Sequence, residues 1–284
     1  MTQILTLIDG SVYSRSVCEY AAWAAGRTNA SVELLHVLGR SDVSSAPVDL
    51  SGSLNADSRE NLLSELAALD EQKAKLTQQR GRVLLDEAKD HLARAGVTDV
   101  STRLRHGDLI ETVQEFEAAC DLVVIGKRGE GADFARLHLG SNLERVARSS
   151  HKPLLVAARA FSPVSNFLVA FDGGASAKKA VEEIARSKLF QGLNCRLLTV
   201  GSPTAENQAS LEKAAGTLQD AGYLVETEIT PGSPEAIIAA RADVGEVDLL
   251  IMGAYGHSRI RNLIIGSTTT EMIRSCKIPI MLFR

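Results

Sequence analysis

The stretch from Met252 to Thr268 reads "MGAYGHSRIRNLIIGST". An apolar run from Val247 leads into it and ends at Gly253, which is typical of a buried strand. Small hydroxyl residues follow Gly266, and helical spacing of apolar residues begins after them. The stretch therefore predicts a strand, a glycine-bearing loop and a helix. At such a junction glycine adopts backbone angles that a Cβ forbids, or it lets a ligand approach the main chain closely.

The same pattern occurs in the first half of the chain, as "DLVVIGKRGEGADFARLHLGSN" from Asp121 to Asn142. The starts of the two halves match as well, since "ILTLIDGS" and "FLVAFDGG" are both apolar strands that end in Asp-Gly. Two copies that each begin and end on a strand indicate a tandem duplication. We predict one domain over residues 1–160 and a second over residues 161–284.

The first repeat is the longer one, and its extra residues are predicted to form a helical insertion at about 41–95. Apolar residues recur on one side of this helix, at Leu62, Leu66, Leu69, Leu76, Val83 and Leu92. We favour an elongated second helix that covers the sheet, because strict heptads are not sustained. A helix that binds a partner is the alternative.

Strands alternate with helices through each repeat, which requires parallel sheets with right-handed crossovers. In the second repeat we predict strands at 166–171, 194–200, 224–229, 248–252 and 279–283. The fold class is α/β, with two tandem doubly wound parallel sheets of five strands. Each repeat ends on an apolar strand whose edge must be covered. We therefore expect the repeats to pack as a pseudo-twofold dimer, and a further homodimer is compatible with the sequence.

Ligands of open α/β sheets bind beyond the carboxyl ends of the strands, where the winding reverses. If the first and fourth strands flank that point, the loop at Asp172 and the loop at Gly253 face one crevice. Gly253 and Gly256 would admit a flat ligand, and the helix start at Gly266, Ser267 and Thr268 offers N–H groups to a phosphate. The Asp172 carboxylate can accept from ribose hydroxyls or hold Mg²⁺. Taken singly, each of these residues has an ordinary explanation as a turn or a helix cap.

The spacing Gly-x2-Gly-x9-Gly-(Ser/Thr), in a unit that opens with a strand and Asp, resembles the universal stress protein family. The resemblance covers essentially the whole chain and is to the tandem type, which implies the adenine nucleotide α-hydrolase-like fold. It implies ATP as the ligand, with Asp172 at ribose or metal and Val200 and Met252 near adenine. By the same resemblance Gly253 and Gly256 lie along ribose and phosphate, and Gly266, Ser267 and Thr268 hold phosphates. Ala170 and Phe171, just before Asp172, complete the predicted site.

The corresponding residues of the first repeat are Asp9, Gly126, Gly129, Gly140, Ser141 and Asn142. This copy departs slightly, because ten residues rather than nine separate its second and third glycines. Its loop also carries Glu130 and Asp133, whose charge is unfavourable near a polyphosphate unless a metal intervenes. The first repeat could bind ATP, bind another ligand or serve as scaffold.

Composition excludes several classes of function. The net charge of −4 and the lack of a Lys/Arg stripe give no basis for nucleic-acid binding, and no apolar run is long enough for a membrane span. We see no signal peptide and expect a cytoplasmic protein. The four cysteines are far apart and are predicted to be buried free thiols, and nothing indicates a redox cofactor.

Three functions remain, because no P-loop, dinucleotide fingerprint or nucleophile elbow occurs in the sequence. The preferred one is an ATP-binding module in stress response or signalling, with unknown protein partners. The alternatives are a slow Mg-dependent ATPase, with Asp172 at the metal, and a structural interaction protein that binds no nucleotide. No catalytic residue is assigned.

Overall fold

The computed structural model describes residues 1–39, 56–129, 141–243, 245–254 and 267–284, without the side chains of 56–59, 141, 243 and 267. Among the described residues each repeat forms five strands. The first repeat has β1 Gln3–Leu7, β2 Ser31–Leu38, β3 Val100–His106, β4 Leu122–Gly126 and β5 Leu154–Ala157. The second has β6 Asn166–Ala170, β7 Asn194–Val200, β8 Val225–Thr230, β9 Leu249–Gly253 and β10 Ile280–Phe283. The five strands predicted for the second repeat are confirmed to within two residues at each end.

Helices connect the strands. They are α1 Ser14–Thr28, α2 Ala56–Arg94, α3 Leu109–Glu117 and α4 Ser141–Ser149 in the first repeat, and α5 Ala175–Arg186, α6 Ala205–Asp220, α7 Pro234–Asp243 and α8 Ser267–Ser275 in the second, with a 3₁₀ turn at Lys188–Phe190. No helix among the described residues is long and apolar enough to cross a membrane.

The two predicted five-stranded sheets are the halves of one ten-stranded sheet, in the order β3-β2-β1-β4-β5-β10-β9-β6-β7-β8. Neighbours within each half are parallel, and the halves join where β5 and β10 pair antiparallel. Leu155 lies opposite Met281 in that pair, and both are the second residue after the proline that precedes the strand. A pseudo-twofold axis therefore passes between Leu155 and Met281, which confirms the predicted pseudo-dimer.

Apolar side chains cover both faces of the sheet, as expected for parallel strands between helices. Helices α1, α2, α5 and α6 pack on one face, where Val17, Leu92 and Val181 join the core. Helices α3, α4, α7 and α8 pack on the other, through Val113, Val146 and Met272 among others. All four cysteines are buried and free, as predicted. Burial raises the pKa of the Cys18 and Cys195 thiols to about 12, so they stay protonated at neutral pH.

Two side chains cross between the repeats, at positions that the repeat does not relate to each other. The Lys127 ammonium, just after β4, donates to the carbonyl of Cys276, just after α8. Arg284, just after β10, donates to the carbonyl of Arg148 in the last turn of α4 at 2.7 Å. Each cation thus meets the carbonyl end of a helix in the other repeat, where the helix dipole favours positive charge.

Helix α2 differs from the interpretation that it covers the sheet along its length. Leu85 and Leu92 in its C-terminal part are buried in the core. Further toward the N-terminus Leu69, Leu76 and Val83 are 59%, 65% and 54% exposed. The interpretation is therefore right for the C-terminal part and wrong for these three residues, because periodicity shows which face is apolar and not what lies against it.

Candidate functional site

The first repeat contains a cavity of about 890 Å³ at the carboxyl ends of its strands. Its walls come from the ends of β1, β2 and β4, from the loop after β3 and from the first turns of α3 and α4. This is the position where β1 separates the chain's two winding directions, since β2 lies on one side of it and β4 on the other. Cavities of this size hold ligands as large as a nucleotide.

The cavity collects the first-repeat equivalents of seven residues predicted in the second repeat. Asp9 corresponds to Asp172, and the residues before it, Leu7 and Ile8, correspond to Ala170 and Phe171. The remaining equivalents are Val37 for Val200, Ile125 for Met252, Gly126 for Gly253 and Asn142 for Thr268. All seven first-repeat residues line the cavity. Three of them, Asp9, Gly126 and Asn142, were themselves predicted.

Asp9 and Asp172 occupy equal places in equal loops. The Asp9 carboxylate accepts from the Ser11 N–H at 3.0 Å, and the Asp172 carboxylate accepts from the Gly174 N–H at 2.8 Å. A Cβ at Gly129 would lie 3.1 Å from Oδ2 of Asp9, so the loop after β4 runs directly past this carboxylate. The structure therefore brings the predicted aspartate and the Gly-x2-Gly loop together in the first repeat.

The strand ends leading to the aspartates are fixed by one side chain each. His36 in β2 donates from Nδ1 to the Ile8 carbonyl at 2.6 Å. Thr199 in β7 donates to the Phe171 carbonyl at 2.8 Å. Thr199 stands one position before Val200, which was predicted near adenine, and His36 stands one position before the equivalent Val37, so the two edges are built alike.

Gly126 and Gly253 have a packing reason besides ligand approach. A Cβ at Gly126 would lie 2.8 Å from the Tyr13 Cβ, and one at Gly253 would lie 2.8 Å from the Ser176 Cβ. Both distances are too short for real Cβ contacts, so glycine is needed for the helix after the first strand to pack on the end of the fourth. The helix start and the strand end that form the crevice are held together in this way.

Helix α8 begins at Ser267 and is held against the end of β9, where Thr269 donates to the Gly253 carbonyl at 3.2 Å. Thr268 is half-buried and Asp172 is exposed, whereas Met252 is 5% exposed and belongs to the core. Gly256 and Gly266, and Gly140 of the first repeat, lie outside the described residues, as do Glu130 and Asp133. Of Ser141 and Ser267 only the backbone is described, and each is the first residue of its helix.

Sequence reasoning missed the ion pair in the first cavity. Arg145 on α4 lies 2.6 Å from the Asp108 carboxylate, which also caps α3 by accepting from the N–H groups of Ile110 and Glu111. The Arg145 hydrogen bond, with those of the cap, holds the pKa of Asp108 below its usual value. Arg145 stands one turn after Asn142 on the same helix, so the repeat alone could have placed it at the predicted site. Its pairing with Asp108 could not be predicted from the sequence.

The second repeat has a different charge at the same places. Glu271 takes the position of Arg145 and lies 2.5 Å from Arg274. Glu235, in the first turn of α7, accepts from the Ser233 hydroxyl at 2.6 Å. Hydrogen bonds from Ser233, from its own backbone N–H and from the Thr268 hydroxyl lower the pKa of Glu235. No cluster of three metal-ligating side chains occurs among the described residues.

The fold and these edges define a class of protein: a doubly wound α/β protein whose two repeats are related by an internal twofold and carry matching loops at the carboxyl ends of their strands. The model of the universal stress protein family matches residues 1–158 and 163–284. Universal stress protein Slr1230 of Synechocystis sp. is 38% identical over 287 residues, which cover 100% of both chains. The chain belongs to the universal stress protein family.

Solved structures agree on the fold. A universal stress protein from Archaeoglobus fulgidus superposes with a TM-score of 0.72 at 19% identity, covering 99% of this chain and 96% of that chain. A universal stress protein from Pseudomonas aeruginosa gives a TM-score of 0.64 at 16% identity, covering 100% and 93%. The architecture is therefore shared along the whole length of the chain.

Proposed function

We propose that this chain binds adenine nucleotides, with ATP at the carboxyl ends of β6 and β9 and a second nucleotide in the equivalent cavity of the first repeat. In this proposal it acts in stress response or signalling rather than as a fast enzyme. One observation carries the proposal. Seven residues were predicted to bind the ligand in the second repeat. Their equivalents in the first repeat all line one cavity, which is large enough for a nucleotide.

The residues at these edges fit the parts of ATP. The backbone N–H groups in the first turns of α4 and α8 have no partner within their own helix, and such groups bind phosphate oxygens together with the positive end of the helix dipole. Val37 and Val200 are half-buried at the ends of their strands, where a flat apolar base can cover them. The carboxylates of Asp9 and Asp172 can accept hydrogen bonds from ribose hydroxyls.

The second crevice fits a nucleotide better when a divalent cation accompanies it. Asp172, Glu235 and Glu271 are the acidic side chains described there, and negative charge near a polyphosphate is unfavourable without a cation. Mg²⁺ binds carboxylate and phosphate oxygens together, and Asp172 is the residue we propose for it. The first cavity holds as many carboxylates, with the Arg145 guanidinium beside that of Asp108, so the same requirement applies there.

Calorimetric titration of the full chain with ATP, with and without Mg²⁺, tests the proposal. Val200→Trp should fill the second crevice and Val37→Trp the first cavity, so each variant should lose one of two binding events. Unchanged thermal unfolding would show that the half-buried valines tolerate the larger ring. A parent chain that binds no adenine nucleotide at millimolar concentration would contradict the proposal and favour the structural interaction protein.

The slow ATPase is distinguished from the binding module by phosphate release. If ATP binds and phosphate appears at a rate that Asp172→Asn abolishes, the ATPase is the better description. If ATP is recovered intact after many hours with the chain, nucleotide binding is the function.

A further inference from the structure

Helix α2 extends past the body of the first repeat. Its 39 residues span about 58 Å, and only the C-terminal part is buried against β2, β3 and α1. Among the described residues, four of the exposed large apolar side chains lie on this helix: Leu63, Leu69, Leu76 and Val83. Exposed apolar residues are ordinary when they are scattered, so their arrangement decides whether they form a surface.

The arrangement is a stripe with a seven-residue repeat, Leu62, Leu69, Leu76 and Val83, called the leucine stripe below. Seven residues are nearly two helical turns, so these side chains share one side of α2. By helical geometry they lie roughly 140° around the axis from the buried side, which carries Leu85, Ala88 and Leu92. The stripe can therefore contact another molecule while α2 stays packed on its own sheet.

Charge along α2 is divided into two blocks. Residues 57–71 contain five acidic residues and one basic residue, whereas residues 72–82 contain four basic residues and no acidic one. Two such helices side by side in parallel would place like charges opposite each other along the whole contact. Antiparallel, the acidic block of each helix lies along the basic block of the other. Opposite charges across a helix pair set both partner and orientation.

We propose that the leucine stripe binds the same stripe of a second copy of this chain, as an antiparallel helix pair. Its twofold axis passes between Gln72 and Lys73. In that register Leu62 lies opposite Val83 of the second copy and Leu69 lies opposite Leu76. The same register brings Glu65, which borders the stripe, level with Arg80. Apolar spacing and charge therefore select one alignment independently of each other.

The interface is closed and of limited size. Each α2 contributes residues 62–83, about 33 Å of helix, and the twofold leaves no stripe over for a third copy. Lys73 and Arg80 stand where a strong coiled coil has apolar residues, so the stripe supplies little more than one apolar layer per two turns. We therefore expect reversible association, with a dissociation constant on the order of micromolar.

Sedimentation equilibrium of the full chain at about 1 to 100 µM tests the pairing. The parent should move from monomer to dimer, and Leu69→Glu/Leu76→Glu should weaken association at least tenfold. Leu224→Glu is the matched control, because Leu224 is 85% exposed just before β8 and far from α2 in the fold. Thermal unfolding and ATP binding of the double variant should equal those of the parent at concentrations where the parent is monomeric. A parent that is monomeric throughout, or a double variant that associates like the parent, would overturn the proposal.

Cysteine cross-linking tests the orientation. The four natural cysteines are buried, so Leu69→Cys and Leu76→Cys provide accessible thiols. An equal mixture of the two variants should form the mixed disulfide much faster than either variant alone forms its own. Preferential disulfides within each single variant would mean a parallel pair and would overturn the antiparallel register.

Discussion

Individual side chains at the carboxyl edges determine how much charge each crevice holds. Arg145 pairs with Asp108 in the first repeat, whereas Glu271 replaces it in the second and pairs with Arg274. Glu235 accepts from Thr268, one of the residues proposed to meet phosphate. The described edges of the two repeats thus share their framework of strands and helices and place their charged side chains at different positions.

Ser267→Asp should separate folding from nucleotide binding. A carboxylate at the first residue of α8 is favourable for the helix, but it occupies the place of the anion. Loss of even two charge-assisted hydrogen bonds costs roughly 3 kcal/mol, so ATP should bind the second repeat over a hundredfold more weakly. Calorimetric titration measures this.

Ser141→Asp is the matched change at the start of α4. It should reduce the total ATP bound by less, because the first repeat's loop already carries Glu130 and Asp133. If Ser267→Asp folds normally and binds ATP like the parent, the phosphates do not lie at the start of α8.

The repeat made part of the site predictable at this scale. Asp9 and Asp172 could be named because each ends an apolar strand in a duplicated pattern. The pairing of Arg145 with Asp108 could not, because the two residues are distant in the sequence and meet only when α3 and α4 pack side by side. Glu235 was missed for the same reason, since its neighbour Thr268 belongs to another helix.

Among the elements, the ends of α4 and α8 link the repeats through cations. The Lys127 ammonium donates a hydrogen bond to the Cys276 carbonyl at the end of α8. This hydrogen bond partly offsets the free-energy cost of burying the ammonium. Burial lowers the pKa of Lys127 from 10.5 to about 8, with a smaller contribution from Arg128. The pair of contacts ties each strand end to the opposite repeat without any disulfide among the described residues.

Lys127→Met should change how stability depends on pH. In the parent the unfolded chain binds more protons than the folded one between pH 8 and 10.5, so Lys127 makes the free energy of unfolding rise with pH in that window. Relative to the variant, the parent should gain roughly 2–3 kcal/mol from pH 7 to pH 10. Denaturant unfolding of both proteins at several pH values measures the difference.

The comparison cancels groups that titrate in both proteins, such as the buried thiols of Cys18 and Cys195. Their raised pKa values act in the opposite direction, because their stabilisation is lost as pH rises above 9. Parallel stability curves for parent and variant would mean that Lys127 is solvated.

Element types were easier to predict than their surroundings. Apolar runs such as "LLIMG" are too short and too continuous for a surface helix, so the strands were correct to within two residues. The apolar side of α2 was also visible, but the split between its buried end and its exposed stripe depends on where the sheet stops. That is a property of the tertiary structure.

At the scale of the whole molecule, β5 and β10 are central strands only because the two repeats share them. Both strands are completely buried, and each would be a bare edge in an isolated repeat. An unprotected apolar edge pairs with another chain. The sequence predicted that the edge of each of these strands must pair with something. That Leu155 lies opposite Met281 could be seen only in the strand pairing of the structure.

A fragment of residues 161–284 should therefore self-associate through β10. It lacks α2, so association by the leucine stripe cannot contribute. Light scattering coupled to gel filtration should show dimers or larger species at concentrations where a single folded repeat would otherwise be monomeric. A well-behaved monomer would show that this edge does not need its partner.

Because the two repeats meet within one chain, each repeat can acquire substitutions independently of the other. In a homodimer each substitution is made twice, once on either side of the axis, and both crevices must change together. Here one gene encodes both sides, so a substitution is made once and its counterpart is untouched. Leucine can face methionine across the axis, and an arginine in one crevice can coexist with a glutamate in the other. The tandem arrangement thus lets the two repeats diverge in chemistry, because one can be altered while the other stays unchanged.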